Sequence, residues 1–161
     1  MEKVYLLLGT NIGNLEENLE GAITAIASQN INIIKKSKIY RTKAWGVREQ
    51  PDYLNVALAA ETDLPADQLL RIFKEIEAGM GRKVTQQRWQ PRVIDIDIIF
   101  WGDRVVDSAG LRIPHQEFFN RPFALKILSE IAPDFVPPGK EHTLQELSTG
   151  ASDEGIEIYS N

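Results

Sequence analysis

The sequence predicts an α+β fold: a ferredoxin-like βαββαβ core with an antiparallel sheet, helices covering it, and additional C-terminal helices. Three observations predict it. Short apolar runs and helical periodicities follow one another as strand, helix, strand, strand, helix, strand. The chain has 161 residues, which suits one domain of roughly 150 residues. Hydrophobic residues make up 43% and charged residues 25%, the composition of a protein with a buried core.

The elements follow in order. Val4 to Leu8 is a continuous apolar run ending at Gly9, as expected of a buried central strand. Asn14 offers an N-cap for a helix from Leu15, whose Leu15, Leu19, Ala22, Ile23 and Ile26 share one face. Glu16, Glu17 and Glu20 crowd its first turns, where the helix dipole favours negative charge. Ile31 to Tyr40 is rich in β-branched residues and reads as one strand. Asp52 to Thr62 reads as the next, with Leu54, Val56, Leu58 and Ala60 alternating against Tyr53, Asn55 and Ala57. Leu64-Pro65 opens a second helix with Leu69, Leu70, Phe73 and Ile76 on its apolar face.

Val93 to Trp101 is a strand. Strict alternation sets Ile94, Ile96, Ile98 and Phe100 on one face and Val93, Asp95, Asp97 and Ile99 on the other. A short hairpin is expected between Arg104 and Pro114, then helices at Pro122 to Ile131 and Leu144 to Leu147. The whole chain, 1–161, reads as a single domain with about 148–161 a loosely attached tail, in which Ile156 to Tyr159 has the pattern of an edge strand. The connections Thr42 to Pro51 and Arg82 to Arg92 are long for so small a domain, which is common for functional lids.

Composition excludes several function classes. Eighteen Lys and Arg against 23 Asp and Glu leave a formal charge of −5, which disfavours a long nucleic acid as partner. There is no cysteine, so disulfides, thiolate metal sites and cysteine nucleophiles are ruled out. No stretch approaches the ~20 apolar residues of a membrane span. A cytoplasmic, monomeric protein with no membrane partner is expected.

The residues that can carry chemistry are few. Asp95-Ile96-Asp97 sets two carboxylates on one strand face, where their repulsion is relieved by a hard cation; Mg²⁺ takes one or two carboxylates and shares phosphate oxygens. The plainer reading is a solvated face of an edge strand. Residues 82–92 hold four cations and no acid and lead straight into this strand. Guanidinium groups bind phosphate with forked hydrogen bonds, so the adjacency suits a nucleoside triphosphate, against an ordinary basic loop. Tyr53 and Asn55 share a strand face near Tyr40, Thr42 and Trp45, a set able to stack on and hydrogen-bond a flat heterocycle or simply to fill the core. With only His115 and His142 present, a histidine-based metal site is not expected.

These residues resemble the hydroxymethyl-dihydropterin pyrophosphokinase family of folate biosynthesis. The most specific stretch is Arg88-Trp89-Gln90-Pro91-Arg92-Val93-Ile94-Asp95-Ile96-Asp97, close to a signature Arg-Trp-Gly-Pro-Arg, apolar pair, Asp-x-Asp. Tyr40-Arg41-Thr42, Gln50 to Asn55, Glu77, Gly81-Arg82, Ile113-Pro114-His115 and Asn120 to Phe123 support it. The resemblance implies transfer of pyrophosphate from ATP to the hydroxymethyl group of 6-hydroxymethyl-7,8-dihydropterin, with release of AMP. It implies two Mg²⁺ ions at Asp95 and Asp97, with Arg82 and Arg92 also catalytic. It places Glu77, Trp89, Arg92, Ile98, His115 and Arg121 around ATP, and Thr42, Trp45, Tyr53, Asn55 and Phe123 around the pterin, Tyr53 and Phe123 on opposite faces of the ring.

The chain departs from the family pattern at Gln90, Lys74, Val84, Lys43-Ala44 and Gln116, none of them in the aspartate pair. The competing class is an RNA-binding module, which shares the split βαβ order but needs aromatics on the sheet face and a basic surface. A metal-dependent nucleotidyl transferase is a third reading, distinguished by release of pyrophosphate instead of AMP.

Overall fold

The structure, a computed structural model, describes residues 1–43, 50–81 and 93–161. Its main sheet is antiparallel and runs in the order β5 (Asp95–Trp101), β1 (Glu2–Thr10), β4 (Tyr53–Thr62), β3 (Ile39–Thr42), β8 (Ile156–Ser160). Strand β2 (Asn32–Lys36) also pairs with β4. Among the described residues no helix is long and apolar enough to cross a membrane.

The expected strand from Ile31 to Tyr40 is two strands, β2 and β3, broken at Ser37. The Ser37 hydroxyl accepts the Ala57 N–H at 2.9 Å, standing in for a backbone carbonyl of the ladder, while Ser37 N–H donates to Ala57 O at 2.9 Å. A side chain that substitutes for the backbone in this way interrupts the pairing register. Both halves lie on β4, so the βαββαβ order is preserved.

Two helices cover one sheet face. Helix α1 (Leu15–Ala27) starts where Asn14 Oδ1 accepts the Glu17 N–H at 3.1 Å, and it buries Leu19, Ala22 and Ile26. Helix α2 (Ala66–Gly79) follows Pro65 and buries Leu69 and Phe73. They pack on Val4, Leu6 and Leu8 of β1, Val56 and Leu58 of β4 and Ile96 and Ile98 of β5. The opposite face is covered by α3 (Pro122–Ile131) and by α4 (Leu144–Thr149), which opens with a Thr143–Glu146 capping box. Their Ala124, Ile127, Leu128 and Leu144 pack on Tyr5, Leu7, Ala57 and Ala59.

Phe100 departs from strict alternation. Tyr5 pairs with Phe100 but Leu6 pairs with Ile98, so Ile99 is an extra residue in β5. This β-bulge reverses the facing of the residues beyond it. Phe100 therefore lies under α3, its ring centroid 5.1 Å from that of Phe118 and 4.9 Å from that of Phe135, instead of beside Ile98.

A small hairpin, β6 (Val106–Ser108) and β7 (Leu111–Ile113), comes after β5. The C-terminal segment is not a loose tail. Lys126 pairs with Asp153 at 3.1 Å, α4 packs on the core through Leu144, and β8 pairs with β3 along its length. The alternating Ile156-Glu157-Ile158-Tyr159 stretch finds an open strand edge to pair with, which residue-by-residue polarity does not reveal.

Candidate active site

Helices α3 and α4 cover only part of their sheet face. Register places Asp95 beside Gly9, Gly9 beside Asn55, and Asn55 beside Tyr40, in one row across four strands. Asp97 comes two residues on, beside Leu7, and Tyr53 lies beside Thr42. All share the face that carries Tyr5, Leu7 and Ala57; Tyr40 packs there against α3, and the others extend past the cover of the helices. Gly9, Thr42, Tyr53, Asn55, Asp95 and Asp97 border a cavity of about 610 Å³. Pockets of this order hold small-molecule ligands.

Every described residue expected at the site lines this cavity. Thr42, Tyr53, Asn55 and Phe123 are there; so are Asp95, Asp97 and Ile98; so are Glu77, His115 and Arg121. Trp45, Arg82, Trp89 and Arg92 lie outside the described residues.

The carboxylates project from an edge strand. Adjacent strands lie roughly 4.8 Å apart, so Asp95 and Asn55, two strands apart, are separated by about 10 Å. Asp97 faces positive and hydrogen-bonding groups: its Oδ1 is 3.7 Å from His115 Nε2 and its Oδ2 is 4.0 Å from Arg121 Nη1. His115 is tied to the bulge, its N–H donating to Ile99 O at 3.1 Å. The Glu117 N–H donates to His115 Nδ1 at 3.2 Å, so in the neutral imidazole the proton sits on Nε2 and points at Asp97 and the cavity. The Arg121 Nε is buried and has no hydrogen-bond partner among the described residues.

Glu77 is 6% exposed, and its Oε2 accepts the Ile96 N–H at 2.8 Å. Ile96 sits on the outer edge of the sheet, where a strand N–H lacks a neighbour. Glu77 thus closes that edge and sets the stretch of β5 between the two aspartates.

Across the sheet, Asn55 Nδ2 donates to Thr42 Oγ1 at 2.5 Å, both residues buried. Its Oδ1 lies over Gly9, where a Cβ would be only 2.9 Å away, and the Tyr53 ring would be 3.4 Å away. Gly9 belongs to the site, yet its signal in the sequence is only a glycine closing an apolar run. The hairpin is a second omission: Ser108, Gly110 and Arg112 line the cavity, and only the fold brings them to β5. Lys43 and Lys74 line it too and add positive charge.

A divalent cation with phosphate ligands fits this donor set. Two carboxylates point the same way, and no group of three or more His, Cys, Asp or Glu able to hold a metal occurs among the described residues. Mg²⁺ suits such a site, since it retains waters and shares phosphate oxygens. The orphaned Arg121 Nε is a donor suited to an anionic oxygen.

Residues 5–133 match the family model described as 7,8-dihydro-6-hydroxymethylpterin-pyrophosphokinase. A 2-amino-4-hydroxy-6-hydroxymethyldihydropteridine pyrophosphokinase from Methylorubrum extorquens is 40% identical over 158 residues, covering 98% of either chain. One of the same name from Haemophilus influenzae is 36% identical over 142 residues and 88% of each chain. The fold is similar to a solved Plasmodium falciparum HPPK-DHPS structure, with a TM-score of 0.78 and 15% identity over 98% of this chain and 46% of that one. The chain thus spans just under half of that longer protein.

Proposed function

This chain belongs to the 7,8-dihydro-6-hydroxymethylpterin-pyrophosphokinase family, and from that premise we propose that it transfers pyrophosphate from ATP to the hydroxymethyl group of 6-hydroxymethyl-7,8-dihydropterin, with Mg²⁺, releasing AMP. It is an enzyme of folate synthesis. The observation that carries the finer reading is a cavity lined by both the aspartate pair and the Thr42–Asn55 pair.

Asp95 and Asp97 hold two Mg²⁺ ions, which supply charge neutralisation and polarisation of the phosphate oxygens. ATP lies along the outer edge of β5, against Ile98, Glu77, His115 and Arg121. The His115 Nε2–H and the Arg121 guanidinium donate to phosphate oxygens, and Arg121 Nε gains the acceptor it lacks. Trp89 and Arg92 complete the ATP contacts, and Arg82 with Arg92 offsets the charge that builds on the transferring group. The pterin lies over Gly9, with Tyr53 and Phe123 on its two faces, Asn55 and Thr42 at its polar edge and Trp45 closing the pocket. Its hydroxymethyl group then points along the row from Asn55 towards Asp95. Positioning and charge neutralisation supply most of the rate, since phosphoryl-type transfer needs little covalent help.

We infer that residues 1–161 act as one catalytic unit, which one sheet joining residues 2 to 160 supports, and that the unit works as a monomer. The work is done in the cytoplasm, where ATP is supplied.

The test is direct. The protein with ATP, Mg²⁺ and the reduced hydroxymethylpterin yields AMP and the pterin diphosphate in equal amounts. ADP as product, release of free pyrophosphate, or no turnover overturns the reading.

A further inference from the structure

The family match ends at residue 133, whereas strand β8 spans Ile156–Ser160. Four residues make up β3, and only Tyr40, Arg41 and Thr42 of them pair with β4. A strand this short, with one edge open, frays readily. Strand β8 closes that edge, pairing Tyr40 with Ile158, Arg41 with Glu157 and Thr42 with Ile156. The contact runs one residue further, since the Lys43 N–H donates to Gly155 O at 3.1 Å. Side chains fasten it. Arg41 Nη1 lies 3.2 Å from Glu157 Oε1, the Arg41 guanidinium sits 5.1 Å over the Tyr159 ring, and the Tyr159 hydroxyl donates to Glu16 Oε1 of α1 at 2.6 Å.

Thr42 is what this arrangement holds. It is 2% exposed, and its Oγ1 takes the Asn55 amide N–H, which turns Asn55 Oδ1 towards the Gly9 floor of the cavity. A carboxamide can present either end to a ligand, and the choice depends on which end is engaged elsewhere. We propose that β8 is a positioning element for the heterocycle pocket: by pairing with β3 and accepting the Lys43 N–H, it holds Thr42 so that Asn55 presents its carbonyl oxygen to the N–H groups of the pterin. This rests on the reading of Thr42 and Asn55 as pterin contacts. Glu157, Gly155 and Tyr159 act through Thr42 and touch no substrate.

Strand geometry supplies the test. The Ile156 N–H donates back to Asp153 O at 3.3 Å, away from β3, so alternation turns the Glu157 N–H to β3 and the Ile158 N–H to the open edge. Proline at 157 removes a ladder donor, and proline at 158 does not. In the full chain, Glu157→Pro raises KM for the reduced pterin on the order of three- to tenfold, the worth of one hydrogen bond. KM for ATP and kcat stay near wild type, and Ile158→Pro and Glu157→Gln match wild type. Unchanged pterin KM in a folded Glu157→Pro, or an equal rise in Ile158→Pro, overturns the inference.

If Glu157→Pro does not fold, Glu157→Arg takes its place, because it sets two cations against each other at Arg41. Its raised pterin KM is expected to return towards wild type in Arg41→Glu/Glu157→Arg. No rise, or a rise without recovery, overturns the inference. The proposed activity is judged separately, by turnover of the wild-type enzyme with pterin and ATP.

Discussion

Asp95 and Asp97 are two residues apart on a strand, so their carboxylates emerge on the same side, and the sheet decides what that side faces. Here it faces His115 and Arg121, with Asp97 Oδ1 3.7 Å from His115 Nε2. The Asp97 side chain is 33% exposed, so it contributes little to stability. Asp97→Asn is expected to lower kcat by on the order of 10²–10³-fold, in the range seen when one transition-state charge contact is removed, with Tm almost unchanged. Mn²⁺ titration should show weakened metal binding in the same variant; wild-type binding would count against a metal role. Gly9 is the second residue whose role is set by its neighbours. Gly9→Ala drives a methyl to 2.9 Å from Asn55 Oδ1, so that amide must move. The expected outcome is a raised pterin KM and a stability loss of about 1–3 kcal/mol, read by steady-state kinetics and thermal melting.

At the scale of elements, β5 carries the chemistry on an edge, and edges need support. The bulge at Ile99 frees the strand to put Phe100 into the aromatic cluster under α3 while Asp95 and Asp97 stay at the cavity. Glu77 of α2 supports the outer edge through the Ile96 N–H. Glu77→Ala leaves that buried donor unsatisfied and is expected to cost about 1–3 kcal/mol of stability. Glu77→Gln keeps an acceptor oxygen and is expected to recover most of it. An unchanged melting temperature in Glu77→Ala would leave ATP contact as the sole role of this residue. The second helix was legible from Leu69, Leu70, Phe73 and Ile76, but a glutamate in the next turn gives no sign that it is buried. The single strand expected from Ile31 to Tyr40 failed at Ser37 for a related reason: a hydroxyl that replaces a ladder carbonyl looks like any other serine.

For the whole molecule, the question is how the sheet and its layers are held in register. Glu130 of α3 bridges to β3, accepting the Lys38 N–H at 2.8 Å and a short hydrogen bond from the Tyr40 hydroxyl. Burial first, and then Glu130, hold the Tyr40 phenol above its ordinary pKa of 10. The folded state thus favours the protonated phenol. Its contribution is fully present below pH 10 and is lost as pH rises from there through the higher folded value. Tyr40→Phe is expected to make the alkaline fall in melting temperature shallower above pH 10, without abolishing it, because Tyr5 is also raised by burial. An identical alkaline profile would show that the link carries no pH dependence.

The amino-acid sequence by itself determined the order of strands and helices, the capping of the first helix by Asn14 and the facing of Asp95 with Asp97. Each depends on neighbours within a few residues, and the periods of 2 and 3.6 record such neighbours directly. The family motifs named the residues for one site. Only the tertiary structure decided the Ile99 bulge, the break at Ser37, the place of Gly9 beneath Asn55, the edge closure by Glu77 and the docking of β8. Each of these joins residues distant in the chain, such as Asn55 with Thr42 or Lys43 with Gly155. Such contacts arise when unpaired backbone groups find partners across the sheet, and local pattern carries no record of which partner is there.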